Sequence, residues 1–572
     1  MLIGVLSGCS QPDGSADSPA PLTDRAVATT QAAIASPETH ATQAGLDVLQ
    51  RGGNAVDAAT AVAFTLAVTL PDAGNIGGGG FMMLYMDGQP AFLDYRETAP
   101  AQAYRDMYLD KKGQLSGDAS LTGHKASGVP GTVAGLWAAH QRYGTVAWAS
   151  LLAPAIKLAR LGFVPEPWLL KAIQNENERL QPRTNFSAYF GAAEQGKRFV
   201  QPELADTLQR IADKGSAGFY EGQTATLLAA EMQRGGGLIT EQDLKSYQPR
   251  WRAPLVTDWR GYRLLTAPLP SSGGFAIAQY LRMRDLRAAD FDGLPHNSAQ
   301  YIHLKAEIEK RIFADRARYL GDPDFVEVPF AKLLDEARLA ERARDINAQG
   351  ISSTEAVIAV REPVHTTHFS ILDGQGNAVS NTYTLNTDFG SGVVVTGAGF
   401  LLNNEMDDFS AAPGQANYYG VVGDEANAIA AGKRMLSSMS PTVLLRDDDV
   451  AMVLGAMGGS TIFTTVYQII SNIVVFSMNA EQAQAATRVH HQLLPRDLIT
   501  YSPTTPLAQG TILDLRKRGY QVAAHDYEFG NVQLIWDDPE AGLQAVSDPR
   551  FTGSSAVLML PSGMSPESAP QD

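Results

Sequence analysis

The sequence predicts a layered α/β or α+β architecture, on three observations. Helix-patterned and strand-patterned segments alternate in large blocks, and no repeat period or heptad runs through the chain. Apolar residues make up 44% against 19% charged, the balance of a well-packed globular protein. At 572 residues the chain can bury one very large domain or several ordinary ones.

The blocks follow in order. Residues 1–9 are a short apolar run ending in Leu6-Ser7-Gly8-Cys9, and residues 10–29 are small, polar and proline-bearing, a flexible linker. Ala41–Leu70 carries apolar residues at helical spacing, interrupted by Gly52-Gly53-Asn54, a natural helix end and restart. A glycine-rich loop runs to Gly80, and a strand pair follows at Phe81–Tyr85 and Pro90–Tyr95. Gly131–Arg344 reads as helix-rich, punctuated by Leu269-Pro270-Ser271-Ser272-Gly273-Gly274.

The texture changes after Val364. Thr367–Leu372 alternates, Asp373-Gly374-Gln375-Gly376-Asn377 has turn chemistry, and Ala378–Leu385 alternates again, which predicts a β-hairpin. Further strands are expected at Thr442–Leu445, Val450–Leu454 and Val532–Trp536, with a helix over Ile462–Phe476. The tail, 561–572, reads as disordered.

Several chemistries are set aside on composition. A formal net charge of −16 disfavours non-specific binding to nucleic acid or anionic membranes. The single cysteine, Cys9, leaves no intramolecular disulfide and no zinc-binding cysteine cluster. There is no His-Glu-x-x-His, Walker A loop or Cys-x-x-Cys, and the Gly77–Gly80 run lacks dinucleotide spacing. His490-His491, read as neighbours on a helix, point in different directions and do not make a metal pair. No metal or cofactor is expected.

Two threonines opening a strand, Thr366-Thr367, are by themselves ordinary strand residues. Their surroundings give them another meaning. Thr366-Thr367-His368-Phe369-Ser370 and Thr382-Tyr383-Thr384-Leu385-Asn386-Thr387 resemble the start of the small subunit of γ-glutamyltransferases. The resemblance continues through Asn403-Asn404-Glu405-Met406-Asp407-Asp408-Phe409, Leu436-Ser437-Ser438-Met439-Ser440-Pro441 and Gly458-Gly459-Ser460. Upstream it includes Gly52-Gly53-Asn54-Ala55-Val56-Asp57-Ala58-Ala59, Tyr95-Arg96-Glu97-Thr98-Ala99-Pro100 and Pro270-Ser271-Ser272-Gly273-Gly274. It spans about residue 30 to 555, in order.

The resemblance implies a four-layer αββα N-terminal nucleophile hydrolase fold made as one precursor. The precursor would cut itself at His365–Thr366, giving a large subunit over 30–365 and a small subunit over 366–560, held as a heterodimer. It assigns Thr366 as nucleophile, Thr384 as its hydrogen-bonding partner, and Gly458 and Gly459 as the oxyanion hole. Arg96, Ser437 and Ser438 would bind the donor's α-carboxylate; Asn386, Glu405 and Asp408 its α-ammonium. The segment from Phe409 to Gly420 resembles the family's lid loop, with Tyr419, or its neighbour Tyr418, closing over substrate.

The implied donors are glutathione and γ-glutamyl peptides, with water, amino acids or dipeptides as acceptors. An acylase for cephalosporin-type side chains, an amidase of other acyl preference and a non-catalytic envelope lipoprotein are the competing readings. Leu6-Ser7-Gly8-Cys9 is similar to a bacterial lipobox, which implies a periplasmic location and a lipid anchor on Cys9.

Overall fold

The structure is a computed structural model, and it describes residues 29–353, 366–415, 417 and 420–561. Among these residues two antiparallel sheets stack face to face. The first has the spatial order β16 (Ser554–Pro561), β1 (Thr29–Ser36), β7 (Thr367–Leu372), β8 (Ala378–Thr384), β2 (Gly79–Met86), β3 (Gln89–Tyr95) and β4 (Arg250–Arg252). The second has the order β15 (Gly542–Ser547), β14 (Gly530–Asp538), β10 (Asp449–Met457), β9 (Thr442–Arg446), β6 (Tyr262–Thr266) and β5 (Leu255–Trp259). A small sheet of β11 (Val489–His491), β12 (Leu498–Tyr501) and β13 (Gln521–Ala524) lies apart from them in the hydrogen-bonding pattern.

Period-two alternation divides the first sheet between two cores. Met82, Leu84 and Met86 of β2 pack with helices Thr39–Gln50 and Ala55–Thr69 on the outer face. Phe81, Met83 and Tyr85 point the other way, into a core shared with Leu444 and Val453 of the second sheet. Helices Gly273–Leu286, Ala299–Tyr319 and Thr461–Val474 cover the far side of that sheet. The result is helix, sheet, sheet, helix: the four-layer αββα sandwich.

The Gly77–Gly80 run is explained by packing. A Cβ on Gly79 would lie 2.6 Å from the Tyr95 carbonyl, and one on Gly80 2.5 Å from the Thr382 carbonyl. Only bare backbone fits between the strands on either side.

Three features differ from the sequence reading. The hairpin of β5 and β6 interrupts the stretch read as helical; its two-residue turn, Arg260-Gly261, has φ of 50° and 85°. Strands β1 and β16 pair across the length of the chain, Ile34 opposite Ala556, and the second runs through Pro561, one residue into the tail. His490 and His491 lie on strand β11, not on a helix, because the segment pairs with β12. On a strand they still face opposite ways. His490 Nδ1 meets Thr464 Oγ1 at 3.0 Å, and His491 Nδ1 meets the Leu498 carbonyl at 2.8 Å.

Candidate active site

Thr366 stands immediately before β7. The β7–β8 ladder pairs Thr367 with Tyr383 and His368 with Thr382, so one further step sets Thr366 opposite Thr384. Both threonines are buried, and both line one pocket with a free volume of about 20 Å³. Phe369 and Ile371 point into the outer core, which turns His368 and Ser370 toward the second sheet.

That inward face is polar and closed on itself. His368 Nδ1 meets Thr382 Oγ1 at 2.8 Å and Nε2 meets Ser370 Oγ at 3.1 Å, while Ser370 Oγ donates to the Gln533 carbonyl. Burial pushes the imidazole down to about 3, so it is neutral at physiological pH.

The second wall comes from the end of β10. Gly458 has φ 132° and Gly459 φ 51°, and Ser460 opens the Thr461–Val474 helix. Gly459 lines the pocket. Gly458 sits one residue outside it, its carbonyl accepting from Thr461 N and Thr461 Oγ1. A Cβ on Gly458 would collide with Thr461 Oγ1, so the turn requires glycine. Consecutive backbone N–H groups ahead of a helix N-terminus suit a developing oxyanion.

Arg96 follows β3 and is fully buried. Its Nη2 donates to Asp408 Oδ2, and its Nη1 lies 2.7 Å from Glu405 Oε2 and 3.5 Å from Glu97 Oε2. No aligned donor among the described residues reaches either Glu405 oxygen. Burial pushes Glu405 well above the usual carboxylate range and raises Asp408 and Glu97, the latter to about 7, against the pull of Arg96. Burial also works against the Arg96 charge, but Glu405, Asp408 and Glu97 outweigh it and hold the guanidinium protonated. One guanidinium facing three buried carboxyls leaves the cluster short of positive charge, which an ammonium group can supply.

Asn386 has φ 87°, a left-handed conformation that asparagine tolerates better than most residues. Its side-chain N–H donates to the Asn404 carbonyl at 3.0 Å. Ser437 Oγ accepts from Met439 N at 3.1 Å. The structure thus gathers Arg96, Thr366, Thr384, Asn386, Glu405, Asp408, Ser437, Ser438 and Gly459 around one pocket.

The same pocket is lined by Arg316 and Val421, which lie outside every motif quoted above, and by Asn417, Met439, Ser460 and Ile462, to which the resemblance assigns no individual role. Cys9, His365, Tyr418 and Tyr419 lie outside the described residues. The segment around the lid expectation is represented at the pocket by Asn417, whose side-chain N–H donates to Asp408 Oδ1 at 3.3 Å.

A strand-opening threonine, a diglycine turn and a buried zwitterion-like cluster meet in one small space, and the whole-chain comparisons agree with that geometry. The Gamma-glutamyltranspeptidase family pattern matches residues 41–558. The chain belongs to the γ-glutamyltranspeptidase family. Similar to it is a glutathione hydrolase proenzyme of Pseudomonas aeruginosa, 56% identical over 92% of this chain and 94% of the relative. So is the glutathione hydrolase proenzyme of Escherichia coli, 43% identical over 91% and 90%. Among solved structures, a cephalosporin acylase from Bacillus halodurans superposes with a TM-score of 0.79 at 28% identity, covering 96% of this chain and 99% of that one. As a γ-glutamyltranspeptidase family member the chain is an enzyme, with the nucleophile hydrolase fold expected of the family.

Proposed function

We propose that this protein cuts itself before Thr366 and then cleaves the γ-glutamyl amide bond of glutathione and related compounds. The observation that carries this reading is Thr366 set opposite Thr384 in the same pocket as Arg96, Glu405 and Asp408.

The chemistry requires the cut. A hydroxyl is a weak nucleophile until a base takes its proton, and an amide nitrogen cannot act as that base. Hydrolysis of the 365–366 peptide bond frees the α-amine of Thr366, with a reference pKa of about 7.7–8.0, beside its own Oγ. The amine takes the hydroxyl proton as Oγ attacks the γ-carbonyl. Thr384 orients the hydroxyl, and the N–H groups of Gly458 and Gly459 receive the oxyanion. The tetrahedral intermediate collapses by expelling the leaving amine, which takes the proton, and a γ-glutamyl ester on Thr366 remains. Water or an acceptor amine then attacks the ester and regenerates the free threonine.

Specificity rests on two poles. Arg96, Ser437 and Ser438 bind the α-carboxylate; Asn386, Glu405 and Asp408 bind the α-ammonium, and the Glu405 oxygens lacking aligned donors suit that role. Amino acids and dipeptides serve as acceptors. The similarity to a cephalosporin acylase structure keeps one second reading in view, an acylase for side chains without the ammonium group.

Steady-state hydrolysis of γ-glutamyl-p-nitroanilide beside glutaryl-p-nitroanilide separates the two. The γ-glutamyl compound is expected to win by roughly a hundredfold or more in kcat/KM, since the glutaryl group lacks the α-ammonium and leaves its buried polar partners unpaired. Equal or reversed preference would favour the acylase. Export and lipidation at Cys9 are proposed on Leu6-Ser7-Gly8-Cys9 alone. Expression with radiolabelled palmitate tests them: wild type takes up label and Cys9→Ser does not, whereas unlabelled wild type removes the idea.

A further inference from the structure

The Pro270-Ser271-Ser272-Gly273-Gly274 segment has no role in the chemistry above, yet it lies directly against the carboxylate-binding serines. Ser437 N donates to the Pro270 carbonyl at 2.9 Å, and both Ser272 N and Ser272 Oγ donate to the Ser437 carbonyl. Ser271 Oγ donates to the Met439 carbonyl at 2.6 Å. A Cβ on Gly273 would collide with Ser440 Oγ, so the two segments cannot be in this contact with anything larger there.

Behind this contact stands Arg316, buried on the Ala299–Tyr319 helix and lining the pocket that holds Thr366. Its Nε donates to Ser272 Oγ at 3.0 Å, and its Nη2 lies 3.5 Å from Ser438 Oγ. Resting on the γ-glutamyl reading, we propose that Arg316 is a positioning residue for the donor's α-carboxylate, acting with Ser272 to present the Ser437 and Ser438 hydroxyls as donors.

The directions of the hydrogen bonds carry the argument. Arginine can only donate, so each hydroxyl it meets must accept on that side. Ser272 accepts from Arg316 and donates its own O–H to the Ser437 carbonyl, which fixes that segment of backbone. Ser438, approached by Arg316 Nη2, is left with its O–H directed elsewhere, and Ser437 Oγ accepts from Met439 N with the same consequence. Two serines turned into donors match a carboxylate, which only accepts. Charge points the same way: burial raises Asp408, and both Arg96 and Arg316 oppose it, so Arg316 is the second cation felt inside the pocket. It also borders a neighbouring cavity of about 170 Å³ that is lined by neither threonine, and it shares that boundary with Asp408, Asn417 and Val421.

The test uses purified, self-cleaved wild type, Arg316→Lys, Arg316→Gln and Ser272→Ala. Two anilides are compared: γ-glutamyl-p-nitroanilide and 4-aminobutyryl-p-nitroanilide, which keeps the ammonium and lacks the α-carboxylate. For Arg316→Gln, KM on the γ-glutamyl anilide is expected to rise roughly tenfold or more, with kcat held within about threefold. Its kcat/KM on the 4-aminobutyryl anilide should stay within about twofold of wild type. Arg316→Lys should recover part of the loss, and Ser272→Ala should show a smaller rise in the same direction.

An unchanged KM, or an equal loss on both anilides, overturns the proposal. If Arg316→Gln does not fold and cleave, Arg316→Lys and Ser272→Ala decide by the same criterion. A wild type that ignores the γ-glutamyl anilide overturns the γ-glutamyl reading and this inference with it. Variants matching an active wild type overturn the inference alone.

Discussion

The imidazole of His368 occupies the space that a Cβ on Gly455 would need: that atom would press on Cε1 and Nδ1 and lie 2.8 Å from Nε2. Gly455 is three residues before the diglycine turn, and His368 is two residues after Thr366. The contact therefore fixes the distance between the strand that Thr366 precedes and the strand that ends at the diglycine turn. The ring has no alternative position, because Thr382 and Ser370 hold both nitrogens.

Gly455→Ala should consequently be costly. Overpacking at such a site is worth about 1–3 kcal/mol. The variant is expected to unfold at a lower temperature than wild type and to accumulate uncut chain, read by thermal denaturation and a denaturing gel. Wild-type behaviour in both would mean the two strands are free to separate.

The same histidine predicts an acid response. In the unfolded chain an imidazole takes up its proton near pH 6.5, whereas in the fold burial delays this to about pH 3. The unfolded state binds more protons between those values, so the contribution to stability is complete above pH 6.5 and shrinks as pH falls toward 3. Between pH 6.5 and 4 the melting temperature of wild type should drop more steeply than that of His368→Gln. Parallel curves would place the acid sensitivity elsewhere.

Arg96 donates to Asp408 through Nη2 while Nη1 lies 2.7 Å from Glu405 Oε2. A lysine keeps the charge and loses the fork. For Arg96→Lys the expected rise in KM on a γ-glutamyl anilide is roughly ten- to a hundredfold, the worth of one hydrogen bond to a charged group. Michaelis–Menten analysis checks it, and an unchanged KM would remove Arg96 from the donor site.

Gly459→Ala addresses the transition state instead. With φ at 51°, alanine strains the turn and displaces the N–H. A fall in kcat of about a hundred- to a thousandfold with little change in KM is expected for a lost oxyanion donor. A change confined to KM would assign the turn to substrate binding.

Much of this was legible in the chain. The hairpin of β7 and β8 announces itself by alternation on either side of Asp373-Gly374-Gln375-Gly376-Asn377, and its ladder follows that pattern residue by residue. Arg96, Thr366, Thr384, Asn386, Glu405, Asp408, Ser437, Ser438 and Gly459 meet at one pocket because the motifs that carry them stand at strand ends and turns. Arg316 escaped because it sits inside the long stretch read only as helix-rich, on the helix Ala299–Tyr319, with no motif around it. Lys305, Glu307, Glu309 and Arg316 are in fact buried, since the helix is enclosed on several sides. Pairing of β1 with β16 leaves no local trace, because every other element of the fold lies between the partners in the chain. The hairpin of β5 and β6 was hidden by an Arg-Gly turn, a weaker signal than Asn-Gly.

The central claim is that Thr366 becomes both a chain terminus and the nucleophile, and intact mass with N-terminal sequencing tests it most directly. Purified wild type should give two fragments, the smaller beginning Thr-Thr-His-Phe-Ser, while Thr366→Ala should give only the uncut chain. A wild-type chain that stays whole after long incubation would contradict the account and leave a protein with the fold of these enzymes but without their chemistry.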